Sequence, residues 1–183
     1  MSCGKIDLRC RRCRLSESRS RVVPGVGPCS SKVVFIGEAP GRDEDVRGEP
    51  FVGRAGRLLD DALEDAGARR AHVYITNLVK CRPPRNRRPR RDEVGTCSVF
   101  LESEVATVRP KVVVALGQTV AQRLLDSKLS MAVTVGKDFT VDLAGIETAL
   151  VVAYHPAACL YNRKLVPPFR KSIRKGLELA GVV

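Results

Sequence analysis

Val33-Val34-Phe35-Ile36-Gly37-Glu38-Ala39-Pro40-Gly41 is an apolar run that ends in a glycine-rich turn containing proline. Apolar, largely β-branched residues without polar alternation predict a strand buried on both faces, as in a parallel sheet covered by helices. In α/β folds the turn after such a strand presents backbone N–H groups and side chains at the sheet's C-terminal edge, where ligands bind. Residues 37–41 are therefore expected to floor a site. Neither a G-x-x-x-x-G-K-S/T loop nor a G-x-G-x-x-G fingerprint accompanies the turn, which argues against a nucleotide cofactor. Polar residues continue to Pro50-Phe51-Val52-Gly53, and the first helix is expected only after them.

Outward from this strand, similar apolar runs occupy residues 73–76, 111–116 and 149–153, with a short edge hairpin arm at 139–143. Helical spacing covers residues 55–66, where Gly67 closes the helix, and then 91–108, 120–125 and 168–180. Strands alternating with helices predict a single three-layer α/β/α domain over residues 1–183, built on a central, mostly parallel four-stranded sheet. Residues 1–31 form an Arg- and Ser-rich segment with little apolar periodicity. Glu38, Asn77 and His155 each lie at or just beyond a strand's C-terminal end. Parallel strands put those ends on one edge, so the three are expected to converge.

The chain carries 32 Lys+Arg against 20 Asp+Glu, a formal charge of +12. Such an excess favours a polyanionic partner, usually nucleic acid. It is densest after Cys81, where residues 82–91 hold six Arg and three Pro in a rigid, exposed loop. No apolar run approaches membrane-spanning length and no N-terminal apolar leader is visible, so a cytoplasmic, nucleoid-associated protein without membrane contact is expected.

Seven Cys in a reducing compartment argue against a disulfide framework. Cys10 and Cys13 form a C-x2-C knuckle, and Cys81 and Cys97 follow after a long gap. Four thiolates from two distant segments suit an all-thiolate zinc ion or an iron–sulfur cluster, and spacing does not choose between them. Cys29 and Cys159 read as buried structural thiols, and Cys3 fits either role.

Four motifs narrow the reading: Gly37-Glu38-Ala39-Pro40-Gly41, Pro50-Phe51-Val52-Gly53-Arg54-Ala55-Gly56, Thr76-Asn77-Leu78-Val79-Lys80-Cys81-Arg82-Pro83-Pro84 with Asn86-Arg87, and His155-Pro156-Ala157-Ala158. In order and spacing they resemble the family 4 uracil-DNA glycosylases, the iron–sulfur members of the uracil-DNA glycosylase superfamily. The similarity runs from about Cys10 to the C-terminal helix. It implies that Cys10, Cys13, Cys81 and Cys97 ligate a structural 4Fe-4S cluster. It also implies that Phe51 stacks on a flipped uracil, that Asn77 bonds its polar edge, and that backbone N–H groups around Glu38 and Ala39 contact the base. His155 would donate to uracil O2, and residues 156–160 would enter the duplex as a loop.

The implied activity is hydrolysis of the N-glycosidic bond of deoxyuridine in single- or double-stranded DNA, which starts base excision repair. No lyase step follows, because no Lys nucleophile stands in the motifs. A monomer is expected, with a sliding clamp as a candidate further partner. Other branches of the superfamily carry a water-positioning Asp or Asn where this chain has Ala39. Glu38 or Glu44 is then left to orient water or to stabilise the sugar cation, and Glu44 is alternatively a wall against the thymine methyl. Ala39 also sustains a second reading, a catalytically weak iron–sulfur module that binds DNA or senses damage.

Overall fold

The computed structural model describes residues 3–128 and 130–183. Among these, β1 Val33–Gly37, β2 Tyr74–Asn77, β3 Val112–Leu116, β4 Asp138–Leu143 and β5 Ile146–Ala153 form one sheet in the order β2-β1-β3-β5-β4. Four strands are parallel, and β4 pairs antiparallel with β5 as an edge hairpin. The expected four-stranded sheet is thus the parallel part of a five-stranded one. The hairpin arm at 139–143 was legible, but its pairing was not, because half-exposed edge residues give a weak apolar signal.

The helices are α1 Arg42–Arg47, α2 Arg54–Asp65, α3 Arg91–Val108, α4 Gln118–Leu124, α5 Met131–Thr134, α6 Pro156–Tyr161 and α7 Val166–Leu179. Among the described residues, none of them is long and apolar enough to cross a membrane. Alternation along β1 divides the core. Val33 and Phe35 pack with Leu59, Leu63, Phe169 and Ile173 from α2 and α7. Val34 and Ile36 face Leu101, Val105 and Val120 from α3 and α4. A strand buried on both faces thus sits between two helical layers, as its unalternating sequence requires. Because β1 is flanked by β2 and β3, the chain reverses direction across the sheet there, and a crevice opens at the strands' C-terminal ends.

Three expectations need correction. A helix does precede Gly53: Asp43, Glu44 and Asp45 occupy the first turn of α1, where carboxylates complement the helix dipole, and Gly48 ends it at φ 79°. Six residues are too few to show apolar periodicity. Residues 156–160 are not a loop but most of α6, with Pro156 in its first turn and His155 as its N-cap. Finally, Cys3 and Cys29 are joined by a disulfide across a Cα–Cα distance of 5.6 Å. Cys29 is therefore neither a free nor a buried thiol. The turn-rich connector between them returns the chain to the sheet, where Val26 pairs with Ile75.

Candidate active site

A cavity of about 320 Å³ opens at the C-terminal edge of the sheet. Glu38, Ala39, Glu44, Phe51, Asn77 and His155 all line it, so the predicted convergence is met. Asn77 ends β2 in register with Gly37 of β1. It is only 2% exposed, and its Oδ1 is buried without a hydrogen-bond partner. An unmade bond at a buried acceptor is costly. Asn77 also lines the cavity. A Cβ at position 37 would press on that oxygen and come within 2.5 Å of Phe51 Cζ, so glycine is what lets the amide and the ring border one slot.

Phe51 is held in place by three devices. Its backbone is left-handed at φ 54°, a costly conformation for an aromatic residue. Arg70 donates to its carbonyl and to that of Pro50, while Asp60 holds the Arg70 guanidinium at 2.5 Å. Glu44 accepts from Val52 N and Gly53 N, each at 2.9 Å, through Oε1, and from Gly41 N at 3.0 Å through Oε2. Both carboxylate oxygens of Glu44 are thus engaged in bracing the two loops that border the pocket. The first turn of α2 closes in from behind, since a Cβ on Gly56 would overlap the Phe51 carbonyl oxygen.

His155 follows β5, and its ring centroid lies 5.9 Å from that of Phe51. Its Nδ1 accepts from Ala157 N at 3.1 Å. The neutral ring therefore carries its proton on Nε2. Burial pushes its pKa down to about 4, with the Glu44 carboxylate pulling weakly the other way, so imidazole rather than imidazolium is present at neutral pH. Gly117, at φ +100°, makes room for the side chain, whose Cβ would lie 3.0 Å from any Cβ placed there. Glu38 is half-buried beside these groups, its carbonyl accepting from Val79 N at 3.3 Å.

Asn86 and Arg88 also line the cavity; sequence reasoning assigns Asn86 no role and counts Arg88 only within the basic loop of residues 82–91. Asn86 sits left-handed at φ 55° and accepts from Arg82 Nε at 2.7 Å. The available signal was an Asn after Pro-Pro-Arg, a residue that tolerates this backbone region.

Cys10, Cys13, Cys81 and Cys97 line a second, smaller cavity together with Arg19 and Lys80. Lys80 N donates to Cys97 Sγ at 3.3 Å, and Arg19 Nη2 donates to the Cys10 carbonyl at 2.7 Å. Burial pushes the Cys81 thiol up to about 12; Arg19 opposes the shift and the other three thiols add to it. Arg19 Nη1 is buried with no partner. Among the described residues, no three metal-ligating side chains are close enough to hold a single ion. Four sulfurs around a space hostile to bare thiolates fit a centre whose metal ions offset the thiolate charge, and the unpaired guanidinium nitrogen is a donor left over for an acceptor at its edge. Cys159 lies apart in the α2/α7 core as a free, buried thiol.

Fold and pocket together define a doubly wound α/β protein with a cavity at the sheet's C-terminal edge, walled by an aromatic, an amide and a neutral imidazole. The chain belongs to the uracil-DNA glycosylase superfamily, whose family model matches residues 24–178. It is 44% identical over 178 residues to a type-4 uracil-DNA glycosylase of Archaeoglobus fulgidus, covering 95% of this chain and 89% of that one. With the type-4 enzyme of Saccharolobus solfataricus it shares 41% over 172 residues, 91% of this chain and 78% of the relative. A type-4 enzyme of Thermotoga maritima is 41% identical over 155 residues, 85% and 80% of the two chains.

Proposed function

We propose that this chain hydrolyses the N-glycosidic bond of deoxyuridine in DNA and leaves an abasic site. The observation that carries the reading is the buried, unpaired Oδ1 of Asn77. Uracil offers an N3–H to such an acceptor, and the amide nitrogen can donate to O4. Cytosine would turn an N3 lone pair toward the same oxygen, and polar mismatches of this kind discriminate by about 10,000-fold or more.

The remaining residues follow from their surroundings. Phe51 supplies the stacking face opposite the base. His155, neutral and protonated on Nε2, donates to uracil O2 as negative charge grows on the leaving group. A preorganised donor in a dry site acts most strongly where charge develops. The bond then breaks toward a uracil anion and a sugar cation, and water adds at C1′. Ala39 has no side chain to hold that water. Glu38 is the pocket carboxylate without a backbone-bracing role, so it orients the water or stabilises the cation, whereas Glu44 fixes the wall that meets the position a thymine methyl would occupy.

Cys10, Cys13, Cys81 and Cys97 would hold a 4Fe-4S cluster, which when bound supplies a cross-link and no redox step. It would tie the N-terminal segment to α3 and to the base of the arginine loop. DNA is the partner. Among the described residues Arg85, Arg88, Arg90 and Arg91 are exposed and make no ion pair, whereas Arg87 is bound to Glu93 at 2.7 and 2.8 Å. The end of α6, with Leu160 and the 92% exposed Tyr161, would fill the gap a flipped base leaves.

A uracil-containing single-stranded oligonucleotide, incubated with the protein and then treated with alkali, tests the reading. Strand scission at the uracil and none at cytosine is expected. No scission at any temperature would leave only a DNA-binding module.

A further inference from the structure

Beneath Asn77 lies a buried ion pair that contacts neither base nor sugar in the reaction above. Lys80 is 0% exposed and Glu104 1%, with Nζ to Oε2 at 2.7 Å. The ammonium has three protons and three acceptors: the Asn77 carbonyl at 2.8 Å, Thr76 Oγ1 at 2.6 Å and Glu104 Oε2. The Thr76 hydroxyl donates onward to Glu104 Oε2 at 2.7 Å, and Glu104 Oε1 accepts from Gly25 N at 2.7 Å. One buried network thus joins the end of β2, the middle of α3 and the connector that precedes β1.

A buried ion pair adds little net stability, because well-packed apolar residues often do as well in its place. Its attested use is to fix one arrangement among several. At this position the arrangement fixed is that of the Asn77 backbone, and through it the direction of a side chain whose Oδ1 has no partner of its own. Gly37 and Phe51 border that oxygen by close approach alone, with no hydrogen bond to hold it.

We propose that Lys80, with Glu104, is the positioning residue for base recognition: it pins the Asn77 carbonyl so that the amide meets the uracil edge. This rests on Asn77 being the group that reads the base. Lys80 acts through Asn77 and does not touch the substrate.

A double-mutant cycle on the full, cluster-loaded chain separates positioning from general support. Single-turnover rates on a uracil-containing oligonucleotide are measured for the parent, Asn77→Ala, Lys80→Met and the double variant, with melting temperature and visible absorbance recorded for each. Lys80→Met is expected to lower the rate roughly 10- to 100-fold, the scale of an ångström-level misplacement, while oligonucleotide affinity stays within about threefold. In the Asn77→Ala background the same change should lower it less than about twofold, because coupled residues are not additive. Equal losses in both backgrounds would overturn the proposal. Should Lys80→Met fail to fold, Lys80→Met with Glu104→Leu removes both charges and replaces it in the cycle; a parental rate in that variant also overturns the proposal. A parental rate for Asn77→Ala would instead remove the reading of Asn77 itself.

Discussion

Held neutral by burial, His155 can donate from Nε2 without having to be charged. Its pKa of about 4 lies below the roughly 6.5 of an unfolded chain, so on acidification the unfolded state takes up the proton first. Stability from this residue is therefore complete above pH of about 6.5 and falls as pH drops toward 4; raising the pH further leaves it unchanged. The glycosylase rate should be flat between roughly pH 6 and 8. A pH–rate profile with an inflection near 6.5 that disappears in His155→Ala would contradict this assignment. The same substitution should lower the single-turnover rate by about 100- to 1,000-fold, the loss typical of one preorganised donor. At this scale the sequence made Asn77 and His155 visible, because a polar residue closing an apolar strand is a local pattern. It left Glu44 ambiguous. Which carboxylate has free oxygens depends on three backbone N–H groups up to nine residues away.

Among the elements, the Phe51 loop depends most on its neighbours. Its left-handed backbone is over-determined by Arg70 on the carbonyl side, Glu44 on the following amides and Gly56 from α2. Gly56→Ala would drive a methyl into the Phe51 carbonyl, so the loop must move although α2 itself gains a better helix former. The expected outcome is a rate at least about tenfold lower with helix content retained, read by single-turnover kinetics beside circular dichroism. A parental rate would show that the ring's position is not critical. A gentler test is Gly37→Ala, whose methyl meets the tips of the Asn77 and Phe51 side chains. It should fold and lose uracil cleavage, because the slot is filled. The helices at 54–65 and 91–108 were readable from apolar spacing over three turns or more. Helix α1 and the helical state of residues 156–161 were not, since capping and tertiary contacts outweigh propensity in segments of six residues.

Over the whole molecule the charge of +12 is a poor guide to the DNA footprint until the structure divides it. Arg87 is bound by Glu93, Arg82 by Asn86, Arg70 by Asp60 and Arg14 by Asp92. Arg85 and Arg88 are exposed in the loop that borders the cavity. Replacing both with Ala should weaken binding to single-stranded DNA of any sequence and flatten the salt dependence by about 0.7 for each phosphate no longer neutralised. Fluorescence anisotropy over a salt series measures this, and an unchanged slope would move the footprint elsewhere. Sequence by itself determined the parallel strands, the two long helices after β1 and β2, and the strand ends that carry Glu38, Asn77 and His155. Each is written in neighbouring residues or in a topology that local apolar patterns force. Tertiary structure alone decided that Asn77 has an unpaired oxygen, that Glu44 is a brace, that Cys3 meets Cys29, and that Lys80 is buried under the pocket floor. Those depend on which distant groups come within hydrogen-bonding or covalent reach, and separations such as 24 or 26 residues leave no trace in a local pattern.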